Sequence, residues 1–257
     1  MAGVFSQPPI RNQSGFTPDF PWQPLADCGA GNPFFYHQFF DDFNNSAQIT
    51  NSYTETATGN GTIANAAGDG GLALFTTNSS TPATTDVASI QLPFAGFTLT
   101  SGKRLFFICR LKVSSAANVA FNVGLIQTTT TPFTVVDGIF FNKPSGASTL
   151  SINHNVASAN TTAAIPAAYF TLADNTFIEL GFYLQRDGSI IAFVDDQLVG
   201  FVPQSGSGST LPNRGPAARI TPAALATVDL NPTLALQSGT ASSKTMTADF
   251  FAVMKER

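Results

Sequence analysis

Apolar and polar residues alternate with a period of two along most of this chain. In 177–184, Ile178, Leu180, Phe182 and Leu184 fall on one face while Glu179, Gly181 and Tyr183 fall on the other, as in a half-buried antiparallel strand. Leu105, Phe107, Cys109, Leu111 and Val113 share one face in the same way. Strands are expected over 35–43, 62–66, 72–76, 87–92, 104–113, 119–126, 137–142, 148–153, 177–185, 189–194, 197–202, 232–238 and 246–254, separated by Gly, Asn, Ser, Thr and Pro. No segment of similar length carries a helical stripe. Asp187-Gly188 predicts a tight hairpin, and Asp195-Asp196 predicts a second turn that closes a three-stranded meander with 197–202. A Ser-Gly stretch at 205–209 and a Pro/Ala-rich segment at 212–226 then read as one long loop, with a short helical turn at 222–226.

The first 33 residues differ in kind. Pro8, Pro9, Pro18, Pro21, Pro24 and Pro33 remove backbone donors and hold the chain extended, so neither a helix nor a central strand fits. Among them stand Phe5, Phe16, Phe20 and the sole tryptophan, Trp22. A solvated linker would not favour these apolar groups. The chain therefore divides into an extended arm, 1–33, and one all-β sandwich domain, 34–257. The arm either folds back over its own domain or lies on a partner, and interface cores are rich in aromatics; Phe5, Phe16, Phe20 and Trp22 are thus the candidate partner-binding residues.

Composition sharpens the second alternative. Only 11% of the 257 residues are charged, against about a quarter in an average soluble protein. Phe-Phe pairs occur at 34–35, 39–40, 106–107, 140–141 and 250–251. On a strand each pair places one ring on each side of the sheet, so one ring fills the core and the other needs a further cover. A neighbouring subunit is the expected cover. The net charge of −4, with scattered Lys and Arg, provides no stripe for a nucleic-acid backbone. No run of about 18 apolar residues is present to span a membrane, and the first residues do not read as a signal peptide. A soluble, non-exported chain is expected, and its five Asn-X-Ser/Thr sequons, at Asn12, Asn44, Asn60, Asn78 and Asn160, are assigned no sugar.

The order of segments carries a resemblance. Phe39-Phe-Asp-Asp-Phe43, Gly70-Gly-Leu-Ala-Leu74, the runs 105–113 and 119–125, Gly138-Ile-Phe-Phe141, 178–183, 191–200 and the closing Thr247-Ala-Asp-Phe-Phe-Ala-Val253 together resemble the concanavalin A-like jelly rolls of tailed-bacteriophage structural proteins. The likeness covers about 34–254 and rests on order and texture. It implies an antiparallel two-sheet jelly roll. By the same resemblance, the chain would be a capsid decoration or cement protein, placed on the outer capsid surface of a virion assembled in the host cytoplasm. Its partners would be the major capsid protein and other copies of itself, as a homotrimer or, second, a dimer.

Catalytic chemistry finds little footing. Glucanases of this architecture need paired carboxylates about 5–5.5 Å apart on one strand, whereas Glu55, Glu179 and Glu256 have no acidic residue two or four positions away. A Ser or Cys nucleophile needs a base, and only His37, in an aromatic strand, and His154, in an Asn-rich turn, are available. Both read as structural or exposed. The pairs Asp41-Asp42 and Asp195-Asp196 read as residues on opposite strand faces or as solvated turn caps. Cys28 and Cys109 make neither a disulfide framework nor a zinc site, and Cys109 reads as a small core residue. No enzyme activity and no cofactor is expected, and calcium held by loop oxygens stays open. The alternative function is glycan binding or host attachment, through the aromatics and amides of loops 153–161 and 205–215.

Overall fold

A computed structural model describes residues 36–44, 48–68, 70–78, 81, 83–93, 96–167, 170–195 and 218–257. The expected arm, 1–33, and the expected strand 197–202 lie outside them. Two antiparallel sheets pack face to face. The first, sheet A, contains β1 (Tyr36–Asp41), β3 (Thr62–Ala66), β4 (Leu72–Thr76), β6 (Leu105–Val113), β11 (Ile178–Leu184), β12 (Ile190–Val194), β13 (Ala218–Ile220) and β15 (Thr245–Glu256). The second, sheet B, contains β2 (Thr54–Ala57), β5 (Val87–Gln91), β7 (Val119–Gln127), β8 (Gly138–Lys143), β9 (Ser151–Val156), β10 (Ala159–Ala164) and β14 (Leu230–Ser238). A single five-residue helix, α1 (Gln48–Ser52), is present among the described residues. Strand order runs β13-β12-β11-β6-β15-β4-β3 in sheet A and β10-β9-β8-β7-β14-β5-β2 in sheet B. Sequence neighbours thus repeatedly switch sheets, the connectivity of a jelly roll.

The last strand, β15, organises sheet A. One edge pairs with β6 along its length, shifting register between Ala248 and Phe250. The other edge is divided: Thr245–Ala248 pair with β4, and Phe251–Glu256 pair with β1. Between the sheets lies the main core, with Phe75, Phe107, Phe141, Phe182 and Phe251 fully buried. The Phe pairs divide as the alternation requires. Phe107, Phe141 and Phe251 enter the main core, while Phe106 and Phe250 join a second cluster and Phe140 a third. Cys109 is buried in the main core, and burial raises its thiol pKa.

Several expectations need correction. Residues 222–226 form no helical turn. Among the described residues β12 pairs with β11 on one edge and, over Ile190–Ala192, with β13 on the other. The expected loop 153–161 is mostly a hairpin of β9 and β10, turned by Ala157 and Ser158 at φ +48° and +69°. His154 therefore sits in a strand, facing the core, rather than in a turn. Asp41 is no solvated cap: it is buried, accepting from the Phe43 N–H at 2.8 Å and from the Tyr53 hydroxyl. Asp195 takes positive φ, +50°, which Asp tolerates better than most residues.

Candidate functional site

The outer faces of the two sheets differ sharply in chemistry. On sheet A, β6 presents Phe106 and Ile108, β11 Tyr183, β15 Phe250, and β1 Tyr36, all buried. Ile191, Phe193, Ala252 and Met254 pack against them from the same face. At the rim Phe40 is 54% exposed, its ring 6.3 Å from that of Phe250. Ion pairs bracket this apolar centre. At one end Glu256 takes Arg104 at 3.2 Å and Arg186 at 2.5 Å. At the other, Arg110 meets Asp249 at 2.5 Å and stands 4.4 Å over the Phe177 ring, with Lys112 4.7 Å from the same ring. The centre of this layer is buried, so contact with protein falls to its rim, where Phe40 stands open.

Sheet B is built for hydrogen bonding. Register aligns Asn122 with Asn142 and Asn142 with Ser151 across β7, β8 and β9. One row along, Phe140 pairs with Asn153, and Asn153 with Thr162. The amides bond laterally: Asn142 donates to Asn122 Oδ1 at 2.7 Å, while Ser151 and Thr162 donate to Asn153 Oδ1 at 3.0 and 2.7 Å. The loop between β7 and β8 folds over part of the face, because Pro132 O accepts from Asn122 at 2.9 Å and Val135 O from Asn155 at 2.7 Å. Its Thr129 N–H reaches Gln91 Oε1 at 3.0 Å. The result is a neutral field of amide and hydroxyl groups beside Phe140. Asn155 Oδ1 and His154 Nε2 are buried with no hydrogen-bond partner.

The groups considered for chemistry are scattered. Glu55 is exposed on β2, Glu179 lies in β11 and Glu256 in β15. His37 stacks on Phe97 at 4.4 Å, and burial, with Arg257 and Lys255 nearby, lowers its pKa. Burial also lowers the pKa of His154, opposed by Asp137. Among the described residues no three His, Cys, Asp or Glu side chains group to hold a metal. Phe5, Phe16, Phe20 and Trp22 lie outside the described residues. The amide rows escaped sequence reading, although alternation already put Asn122 opposite Phe121 and Val123. Joining it to Asn142 and Asn153 required the strand pairing.

Comparison with known proteins places the fold. No known protein family and no curated protein matches the chain. Among solved structures it is similar to an endo-1,3-beta-glucanase from Streptomyces sioyaensis, at 15% identity, TM-score 0.56, and coverage of 88% of this chain and 98% of that one. Lectin II from Ulex europaeus is similar at 9% identity and TM-score 0.51, over 86% of this chain and 98% of that one. A protein of unknown function from Shewanella oneidensis MR-1 is similar at 16% identity and TM-score 0.51, over 86% of each chain. The fold is a concanavalin A-like jelly roll. At these identities the likeness extends to architecture alone.

Proposed function

We propose that this chain is a structural virion protein without catalytic role, a capsid decoration protein that binds the outside of a shell of major capsid protein and stabilises it. The observation that carries the reading is the exposed ring of Phe40 at the rim of sheet A's outer apolar layer, with ion pairs at the ends of that layer. Scarcity of charge points the same way, since a surface poor in ionised groups is best kept in water by contact with other protein. Each copy adds a modest contact, and a shell repeats that contact many times. Closed rotational symmetry among the copies is the corresponding expectation, with a homotrimer first. Purified protein mixed with undecorated heads tests the proposal: bound copies should raise the temperature at which heads disrupt. Absence of binding above background overturns it.

The amide field of sheet B favours a second reading, a glycan-binding module. Asn122, Asn142, Asn153, Ser151 and Thr162 offer paired donors and acceptors without charge, beside the ring of Phe140, the mix that neutral polyhydroxylated ligands call for. Glycan-array binding that is lost in Asn142→Ala would favour this reading; an array without hits would remove it.

A further inference from the structure

A strand at the edge of a sheet offers a row of backbone groups on which another chain can pair, and proteins blunt such edges with charge, proline, a bulge or a cover. Among the described edge strands β1 contains Asp41, β2 Glu55 and β13 Arg219, while β3 lies beside α1. β10 has none of these devices. It reads Ala-Asn-Thr-Thr-Ala-Ala, pairs among the described residues only with β9, and is exposed at every position but Ala163. β13 approaches β9 and β10 from the other sheet and pairs with neither. The neutrality extends beyond the strand: from Pro144 to Ala173 the chain holds no Asp, Glu, Lys or Arg.

Register shows which backbone groups face the open edge. Opposed residues of an antiparallel pair alternate between those that exchange hydrogen bonds and those that do not. Ile165, the residue after β10, donates its N–H to Leu150 O at 2.8 Å. Ala164 stands opposite Ser151, Ala163 opposite Ile152, Thr162 opposite Asn153 and Thr161 opposite His154. Ala163 and Thr161 therefore bond to β9, whereas the N–H and C=O of Thr162 and Ala164 point away from it.

We propose that this edge pairs with β10 of a second copy, antiparallel about a two-fold axis at Thr162, joining two copies of sheet B into one continuous sheet. Three observations select a second copy. Outward groups on one strand must meet outward groups on the other, and an axis at Thr162 keeps the two strands in that phase along their length. The charge-free hairpin lets two identical surfaces meet without the repulsion that like charges directly opposite would bring. Finally, the outer-face row continues across the axis. Phe140, Asn153 and Thr162 lie side by side, Thr162 donates to Asn153 Oδ1 at 2.7 Å, and Thr162 then meets Thr162 of the second copy, a favourable cross-strand pair. A two-fold contact uses both edges at once and closes, so assembly stops at two copies and the dimer, not the homotrimer, is the closed symmetry of this chain.

The inference concerns the isolated protein and needs neither a shell nor a glycan, so its failure and theirs are separate results. Sedimentation equilibrium of the full chain should give twice its mass of 27.0 kDa, falling toward the single-chain mass on dilution. Residue-resolved hydrogen exchange should find the Thr162 and Ala164 amides protected in the dimer and exchanging several-fold faster on dilution, while the Thr161 and Ala163 amides stay unchanged. Thr162→Lys sets two cations face to face on the axis, and Thr162→Pro removes an outward N–H without breaking a bond to β9. Both variants should sediment as single chains. The exchange measurement uses the wild type alone and so decides the matter even if a variant fails to fold. A single-chain mass at every concentration overturns the proposal, as does a trimer. A dimer whose Thr162 and Ala164 amides exchange freely, or one that survives in both variants, overturns the β10 contact in favour of another face.

Discussion

The hydroxyl of Tyr53 donates to Oδ2 of Asp41, twelve residues earlier, and this buried bond closes the corner where β1 leaves sheet A. The other carboxylate oxygen accepts the Phe43 N–H at 2.8 Å. Phe43 itself is held at φ +53°, a conformation that costs a non-glycine residue energy. Its carbonyl takes the Asn65 amide at 2.9 Å, and its ring lies 6.3 Å from Tyr53 and 5.9 Å from Phe251. Tyr53→Phe keeps the ring packing and removes only the donor. The expected cost is about 1.5–3 kcal/mol, the range for a bond to a charged group, read as a lower denaturation midpoint with unchanged slope.

Glu256 links stability to acid. The Arg186 hydrogen bond first, then the backbone and guanidinium of Arg104, hold its carboxyl at about 2 instead of the ordinary 4.5. The unfolded chain therefore binds the proton more readily, so the stabilisation is fully present above pH 4.5 and is lost as pH falls toward about 2. Glu256→Gln should flatten the stability profile in that window. Because Arg186 is largely exposed, added salt should flatten the wild-type profile too.

Lys143 produces a slope of the same sign at high pH. Its side chain is fully buried, with Nζ donating to the carbonyls of Val119 and Ala117. Burial pushes its pKa down to about 8 from 10.5. Between those values the unfolded chain holds the proton and the folded chain sheds it, so stability should rise as pH increases from about 8 to 10.5. Lys143→Met should abolish that rise, because a buried methionine carries no charge to desolvate. Thermal melts across this range in both proteins test the slope.

The central strands were legible because a sheet face against a core demands an apolar residue at every second position; β6 and β11 meet that demand without exception, and β7 meets it up to its last residue, Gln127. Edge strands escape the rule. β10 reads Ala-Asn-Thr-Thr-Ala-Ala and β2 Thr-Glu-Thr-Ala; both are mostly exposed, with no core to impose alternation. The β9–β10 turn was hidden for another reason. Ala157 and Ser158 have no preference for positive φ, and distant partners hold them there: Asp137 Oδ1 takes the Ala157 N–H at 3.0 Å and Val136 O the Ser158 N–H at 2.9 Å. The amide field was illegible for the same kind of reason, since its rows exist only after β7, β8 and β9 pair.

Gly124 leaves no room for a side chain between β7 and β8 on the amide face. A Cβ there would lie 2.4 Å from Ile139 O and 2.6 Å from the Phe140 Cα, with the backbone at φ +156°. Gly124→Ala must push β8 away, at a cost of about 1–3 kcal/mol for overpacking. It should also displace Phe140 and Asn142, so hydrogen exchange of the β7–β8 amides should accelerate more than that of sheet A.

The two residues of a Phe pair should separate core from rim in one experiment. Phe107 is fully buried, stacked on Phe182 at a centroid distance of 5.0 Å. Its truncation to Ala leaves a cavity that the two sheets cannot close, for about 3–5 kcal/mol. Phe40, at the free rim of sheet A, is 54% exposed, and Phe40→Ala should stay within about 0.5 kcal/mol of wild type, as surface substitutions do. If Phe40 contributes to binding a shell, the same variant should weaken attachment to undecorated heads while leaving the unfolding midpoint alone. Equal loss of stability in both variants would mean that Phe40 is a core residue and that the apolar layer ends short of the rim.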